Sequence, residues 1–300
     1  MSDKPERATA QDFPPEVLTL FDKYVHGVID RRGFLEQGAL LVAAGTTATA
    51  VLAALSPDFA HARVAPEDPR ITVTHEDIPS PKGYGTIKAI VVRPKGMAPR
   101  ARKPVILVVH ENRGLNPHIK DIARRLAVDG YIAVAPDALT SLGGYPGDED
   151  KARTLFGQLD QAKAREDFVA AADYAKAMRD SNGKLGAVGF CYGGGIVNML
   201  ATRVPTLRAA VPFYGPPPPL DAVPAIKAEL LLHFAGNDAR VNGLWPDYDK
   251  ALKAAGTRYQ AFIYPSVEHG FNNDTTPRFD EKAAALAWKR TIALFKRTLA

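Results

Sequence analysis

The sequence predicts an α/β fold, a doubly wound and mostly parallel sheet with helices on both faces. From residue 71 to the C terminus, short apolar runs alternate with helical patterns, at the spacing of βαβ units. The run at 105–109 reads VILVV, as a strand covered on both faces requires. A composition of 46% hydrophobic and 24% charged residues is ordinary for a soluble globular protein.

The predicted elements follow this alternation in order. Strands are expected at 71–74, 87–92, 105–109, 131–135, 185–190, 207–214, 229–235 and 259–264. Helices are expected at 119–128, in two pieces within 148–180, and at 192–203, 245–255 and 281–299. No linker divides the chain after residue 70, so residues 63–300 are predicted to form one domain.

Residues 1–62 differ in composition from the rest. An arginine pair at 31–32 precedes an uncharged stretch at 37–57, and residues 60–62 read Ala-His-Ala. A charged start, an apolar middle and a small-residue end are typical of a cleaved export signal, and the arginine pair resembles a twin-arginine signal. We expect the twin-arginine export machinery as a partner and a periplasmic location. The alternative is an uncleaved N terminus, membrane-anchored or cytoplasmic, in which residues 12–29 have the spacing of a short amphipathic helix.

Charge and cysteine content exclude several classes of function. The net charge is +5, but the basic residues are scattered rather than clustered with aromatics, so no nucleic acid is expected as a partner. The charge supports only a mild attraction for anionic substrates. A single cysteine, Cys191, excludes an internal disulfide and a zinc site built from cysteines.

Three reactive residues follow predicted strands, where ligands bind in doubly wound sheets. Cys191 lies in Gly-Phe-Cys-Tyr-Gly-Gly, the layout of a nucleophile elbow with cysteine in the place of serine. Asp238 and His269 follow the last two strands, in the order nucleophile, acid, histidine. The helix N terminus after Cys191 lowers a thiol pKa, a nearby histidine accepts the proton, and a carboxylate orients that histidine.

Each of these residues has a simpler interpretation when it is taken alone. Cys191 is then a small buried residue, Asp238 a turn former or helix cap, and His269 a surface or capping histidine. Their combined order at three strand ends favours catalysis. A phosphate-binding loop is excluded, because Gly-x-Gly-x-x-Gly and a following Lys-Ser or Lys-Thr are absent from the glycine-rich turn.

Four segments together resemble the dienelactone hydrolase family: 108–115 (VVHENRGL), 189–194 (GFCYGG), 236–238 (GND) and 269–271 (HGF). The resemblance covers about residues 70–300. It implies an α/β-hydrolase fold and a triad in which Cys191 is the nucleophile, His269 the base and Asp238 its orienting acid. The implied reaction is hydrolysis of a small-molecule carboxylic ester or lactone through a thioester acyl-enzyme, without a metal or cofactor.

The resemblance also implies roles for residues around the triad. Glu111 matches a glutamate that lies near the thiol and helps to control its ionisation; the alternative is a loop carboxylate paired with Arg113. The backbone amides of Asn112 and Tyr192 would form the oxyanion hole. An acyl transferase using the same triad, or a non-catalytic binding protein on the same fold, remains an alternative.

The resemblance stops at the substrate pocket. Where the family places a carboxylate-binding arginine shortly after the histidine, this chain has Asn273, and Arg278 follows later. We therefore expect a pocket that lacks the family's carboxylate-binding arginines, which leaves open whether dienelactone is a substrate. Pocket walls are predicted from four aromatic residues near strand ends, Tyr145, Phe213, Tyr214 and Trp245.

Overall fold

A computed structural model describes residues 8–42, 45–98 and 100–300. The strands of this part are β1 (Ile71–Ser80), β2 (Gly85–Pro94), β3 (Lys103–Val109), β4 (Ile132–Pro136), β5 (Ser181–Phe190), β6 (Leu207–Phe213), β7 (Glu229–Ala235) and β8 (Tyr259–Tyr264). They form one sheet in the order β1-β2-β4-β3-β5-β6-β7-β8. β2 runs antiparallel to both β1 and β4, and the remaining pairs are parallel. The predicted α/β architecture is confirmed.

Helices cover both faces of this sheet. The α-helices of the described part are α1 (Pro15–Val25), α2 (Arg31–Gly38), α3 (Ala48–Leu55), α4 (Pro117–Val128), α5 (Glu149–Phe156), α6 (Gln161–Ala177), α7 (Tyr192–Arg203), α8 (Ala239–Asn242), α9 (Trp245–Ala254) and α10 (Glu281–Leu299). Because side chains alternate along a strand, Leu107 packs in the core with α6, α7 and α9. Its neighbour Val108 packs in the opposite core with α4 and α10.

The N-terminal segment forms a third apolar cluster of its own. Its buried members come from α1, α2 and α3: Val17, Leu18, Leu20, Phe21, Tyr24, Phe34, Leu52 and Leu55. The uncharged stretch at 37–57 contains the end of α2 and all of α3, and its residues 43–44 lie outside the described part. Among the described helices, none is both long and apolar enough to cross a membrane. Export through residues 1–62 stays a prediction.

Helix α7 starts directly at the end of β5 because two glycines allow close backbone contact. A Cβ on Gly189 would lie 2.2 Å from the carbonyl oxygen of Gly193, and one on Gly193 would lie 2.3 Å from that of Val109. Real Cβ atoms do not approach backbone so closely, so a larger residue at either position forces the helix away from the sheet.

We expect Gly193→Ala to lower the free energy of unfolding by about 1–3 kcal/mol, because the added methyl group must push backbone apart. Gly157→Ala is the matched control: Gly157 has φ −66°, and its Cβ would be no closer than 3.5 Å to any neighbour. Urea denaturation of both variants measures the difference. Equal stabilities would contradict the need for this close approach.

Candidate active site

Cys191 occupies a strained turn between β5 and α7. Its φ of 55° and ψ of −113° lie in a region that residues with a side chain rarely adopt. A hydrogen bond from its amide to the carbonyl of Phe213, 3.0 Å long, holds the turn. The side chain is 7% exposed and lies at the N terminus of α7. The turn therefore presents the sulfur at the carboxyl edge of the sheet.

Asp238 and His269 form a buried pair beside this sulfur. His269 Nδ1 lies 2.6 Å from Asp238 Oδ2, and Asp238 also caps α8 by accepting from the amide of Val241 at 3.1 Å. Burial raises the pKa of Asp238, but the hydrogen bond and charge of His269 outweigh it, and the net pKa is lowered. Within the described residues, His269 Nε2 is buried without a hydrogen-bond partner. The imidazole is thus oriented with one nitrogen available to the thiol.

A second histidine, which the sequence did not predict, also contacts Cys191. His26 follows α1 directly, and its Nε2 lies 3.4 Å from the sulfur. Its Nδ1 lies 3.2 Å from the carboxylate of Asp22. The rings of His26 and His269 meet edge to face at 4.8 Å. The apolar periodicity of α1 indicates a helix, but nothing in the sequence of α1 indicates that its end lies on the active site.

The two imidazoles favour the thiolate form of Cys191. Burial raises the pKa of the Cys191 thiol. The charges of His269 and, next in size, His26 outweigh burial and lower the net pKa to about 5. Burial likewise lowers the pKa of His269, while the cysteine charge and Asp238 raise it above its ordinary value. For thiols, ionisation decides reactivity, because the thiolate is the nucleophile.

His26 is subject to opposing influences. Burial lowers its pKa, whereas the charges of Cys191 and Asp22 raise it, to about 10. Arg240 Nη2, 2.9 Å from Nε2, opposes protonation because an imidazolium has no lone pair to accept that donor. The Arg240 side chain is 43% exposed and is free to turn into solvent, so we favour the raised pKa.

Glu111 lies in the same cavity as Cys191. Its Oε2 accepts a hydrogen bond of 3.0 Å from Asn273 Nδ2. Arg113 instead donates to Asn112 Oδ1 at 2.7 Å and lies 3.8 Å from Glu149, so the alternative pairing of Glu111 with Arg113 is not the observed one.

The two amides expected for the oxyanion hole remain available. Within residues 8–42, 45–98 and 100–300, neither the Asn112 nor the Tyr192 amide donates to a backbone carbonyl. Tyr192 is the first residue of α7, where helix amides lack an intrahelical acceptor. Both amides are therefore free to bind an oxyanion.

The four predicted pocket aromatics do not line the cavity that contains Cys191. The Tyr145 hydroxyl donates to Glu149 Oε1 at 2.9 Å, and Phe213 is buried in the core. The ring centres of Trp245 and Phe234 lie 5.0 Å apart. Tyr214 contacts the ring of His269 at 4.8 Å from within the core. Aromatic residues near strand ends also pack in the core, so proximity to a strand end does not identify a residue of the pocket wall. The aromatic residues lining the cavity are Phe21 and Tyr24 of α1.

Two arginines line the cavity, although Asn273 occupies the place where the family has a carboxylate-binding arginine. Arg113 and Arg278 both line the cavity with Cys191. The Arg278 side chain is 9% exposed, and its Nε and Nη1 are buried without a hydrogen-bond partner among the described residues. The turns between His269 and α10 fold this arginine back toward the histidine, although Asn273 intervenes in the chain.

Cys191, His26 and His269 also have the donor set for a soft divalent metal. One atom from each residue lies within 4.8 Å of the others, and a thiolate with two imidazoles is a set that zinc accepts. A bound metal would take the thiolate lone pair and so compete with its use as a nucleophile.

We expect the rate of Cys191 alkylation by iodoacetamide to rise with pH, with a midpoint at about 5, and to level off above that pH, because the thiolate is the reacting form. His269→Gln removes the main lowering influence and shifts the midpoint upward, whereas His75→Gln, on the exposed face of β1, does not. Mass spectrometry follows the only cysteine directly. A parent midpoint near that of a free thiol would contradict the assigned ion pair.

Comparison with known proteins identifies the fold and the family. The sequence model of the Dienelactone hydrolase family matches residues 87–299, and a model described as YqhI-like matches residues 4–44. Among solved structures, a "Putative Dienelactone Hydrolase" from Klebsiella pneumoniae superposes with a TM-score of 0.66 and 29% identity, covering 76% of this chain and 99% of that one.

Curated relatives agree with this assignment. A "Putative carboxymethylenebutenolidase" from Salmonella typhi is 33% identical over 222 residues, 69% of this chain and 81% of the relative. The "Putative hydrolase fragment YghX" from Escherichia coli is 49% identical over 115 residues, 38% of this chain and 97% of the relative. With a family match over most of its length, an eight-stranded hydrolase-like sheet and relatives above 30% identity, the chain belongs to the dienelactone hydrolase family.

Proposed function

We propose that this hydrolase cleaves a carboxylic ester or lactone through a thioester formed on Cys191. One observation carries the proposal: the buried Asp238–His269 pair, joined at 2.6 Å, lies beside the only cysteine of the chain. The thiol is held on a strained turn at the edge of the sheet where its pKa is lowered to about 5. These are the parts that nucleophilic acyl transfer requires.

The proposed reaction begins with attack of the Cys191 thiolate on the substrate carbonyl carbon. The carbonyl electron pair moves to oxygen, and the amides of Asn112 and Tyr192 stabilise the resulting charge. When the tetrahedral intermediate collapses, the carbon–oxygen bond breaks and His269 gives its proton to the leaving oxygen. Water then attacks the thioester while His269 accepts its proton, and the acid product and the thiol are released.

Asp238 and Glu111 act through the two reacting side chains. Asp238 holds the Nδ1 proton of His269, so that Nε2 faces the reaction and the imidazolium is stabilised. Glu111 places a negative charge in the cavity, which disfavours a second negative charge on the sulfur. We assign to Glu111 the control of thiol ionisation, and to Asn273 the positioning of Glu111.

The arginines of the cavity favour a substrate with an acidic group. Arg278 has two buried donor nitrogens without a hydrogen-bond partner among the described residues, an arrangement that is costly unless a ligand satisfies it. A carboxylate matches the planar donors of a guanidinium. We therefore propose esters or lactones that carry a carboxylate or a similar anion.

Cys191→Ala is expected to abolish the burst of nitrophenol from a p-nitrophenyl ester, because no acyl-enzyme can form. Asp238→Asn, which changes the tautomer of His269, lowers kcat by about a hundredfold or more. Arg203→Ala, a surface change in α7, serves as the control. Stopped-flow absorbance gives burst and steady state together. An undiminished burst in Cys191→Ala would show that Cys191 is not the nucleophile.

Arg278→Gln is expected to raise KM for a carboxylate-bearing ester by about tenfold or more, since a charge-assisted hydrogen bond is lost. For a neutral ester of the same size, KM should change little. The ratio between the two substrates separates recognition of the anion from general damage to the pocket. A parallel change for both substrates would show that Arg278 does not recognise an acidic group.

A further inference from the structure

We propose that residues 10–42 and 45–61 form a built-in cap that closes the catalytic pocket in the resting enzyme. His26 is the positioning residue through which this cap holds the Cys191 sulfur. The cap lies outside residues 87–299, the part that matches the hydrolase family. The inference rests on the proposed role of Cys191 as nucleophile and adds to it a segment that must move before substrate can enter.

The closed cavity is too small for a substrate. Its volume is about 60 Å³, whereas ligand pockets measure about 300–1,000 Å³. The cap supplies walls from two places. Phe21, Tyr24 and Val25 belong to α1, whereas Leu55 ends α3 and Ser56 and Pro57 follow it. Withdrawal of α1 would enlarge the cavity without any change in the sheet.

Polar contacts hold the C-terminal end of α1 on the pocket. The carbonyl of Val25 accepts from Asn112 Nδ2 at 2.8 Å and from Arg113, and that of Tyr24 accepts from Arg153 at 3.0 Å. Arg153 also lies 4.0 Å from the centre of the Tyr24 ring. Cations at a helix C terminus complement its dipole. Because water can replace such hydrogen bonds at small net cost, this contact is suited to opening.

The other end of the cap is tied down differently. The amide of Asp58 donates to the carbonyl of Thr275 at 2.7 Å. A few residues later, Arg63 pairs with Asp274 at 2.8 Å, and its amide donates to Asp121 at 3.0 Å. This network anchors the chain after α3 independently of the contacts that hold the C-terminal end of α1.

In the closed state α1 also brings an acid to the arginine proposed to bind substrate. Asp22 Oδ1 lies 3.9 Å from Arg278 Nη1, and Phe21 lies under the Arg278 guanidinium at 5.1 Å. Asp22 thus stands in for the anionic group of a substrate. Substrate and cap compete for the same arginine, and binding of an acidic substrate favours the open state by mass action.

Several charged groups face the contact between His26 and Cys191. On the cap this is Asp22, and on the hydrolase domain they are His269, Asp238, Arg240, Glu111, Arg278 and, when ionised, Tyr214. His269 remains when the cap opens. Removal of His26 therefore raises the pKa of the Cys191 thiol but does not return it to the value of a free thiol, because His269 still lowers it.

Accessibility of the single thiol tests closure without reference to ester hydrolysis. Arg153→Ala removes contacts that hold α1 and should raise the rate of Cys191 labelling by a bulky maleimide about tenfold or more. Arg203→Ala removes a comparable pair, Arg203–Glu166 at 2.7 Å, away from the cap and should have no effect. If the parent protein shows no esterase burst but its Cys191 thiol is still protected from the maleimide, the catalytic role is refuted and the cap is not. Equal labelling of parent and Arg153→Ala, both at the rate of a small free thiol, would overturn the cap.

The role of His26 is tested by the pH dependence of labelling. His26→Gln should raise the plateau rate, because the sulfur is uncovered, and should also shift the midpoint to higher pH, because one imidazole is lost. A residue that merely covers the thiol would change the plateau and leave the midpoint unchanged, and this result would overturn the positioning role. His75→Gln is the matched control, and EDTA in all samples removes metals bound by the two histidines and the thiol.

Intact mass verifies that residues 1–62 are present in the assayed protein. If the predicted export signal is processed after Ala62, the cap is lost with it, and the inference predicts the fast labelling rate for the shortened chain. Slow labelling of a chain cleaved there would overturn the cap.

Discussion

The strained backbone at Cys191 is the constraint on which the rest of the site depends. The chain reverses direction there with φ 55°. Glycine is required on either side, because a Cβ on Gly189 would meet the backbone of Gly193, and a Cβ on Gly193 would meet the backbone of Val109 at the end of β3. The turn lifts the sulfur above the sheet at the start of a helix. The loops after β7 and β8 end at the same edge and bring Asp238 and His269 to it. A relaxed turn would leave these residues in place and remove the thiol from their reach.

The electrostatics of the site follow from this placement. A buried thiol resists ionisation, and the lowered pKa of Cys191 depends on imidazoles that outweigh burial. Each imidazole has a carboxylate behind it, Asp238 for His269 and Asp22 for His26. One of these pairs belongs to the hydrolase fold and the other to the N-terminal segment. The group that helps to ionise the sulfur is therefore also a group that covers it, so reactivity and access are coupled through one contact.

The same coupling extends to substrate recognition. Arg278 reaches the cavity, where its guanidinium contacts Phe21 and lies near Asp22 of α1. In the closed state the cap uses the cation that an acidic substrate needs. A small cavity limits the access of solvent and of unrelated electrophiles to a reactive thiolate. An arrangement in which substrate displaces an internal acid ties opening to the arrival of the right chemical class.

The strands, their order along the chain and the elbow around Cys191 could all be predicted from the sequence, because apolar alternation and glycine spacing are local properties. It also predicted that Asp238 and His269 lie beside Cys191, since parallel strands end at a common edge. What covers that edge could not be predicted from the sequence and depends on the packing of distant segments. His26 and Arg278 are distant from Cys191 in the chain and carry no local signal of their position. The docking of α1 depends on backbone carbonyls and arginine side chains that meet only after folding. The position of Arg278 in the cavity depends on the turns after His269, and the spacing of residues in the sequence does not predict the conformation of those turns.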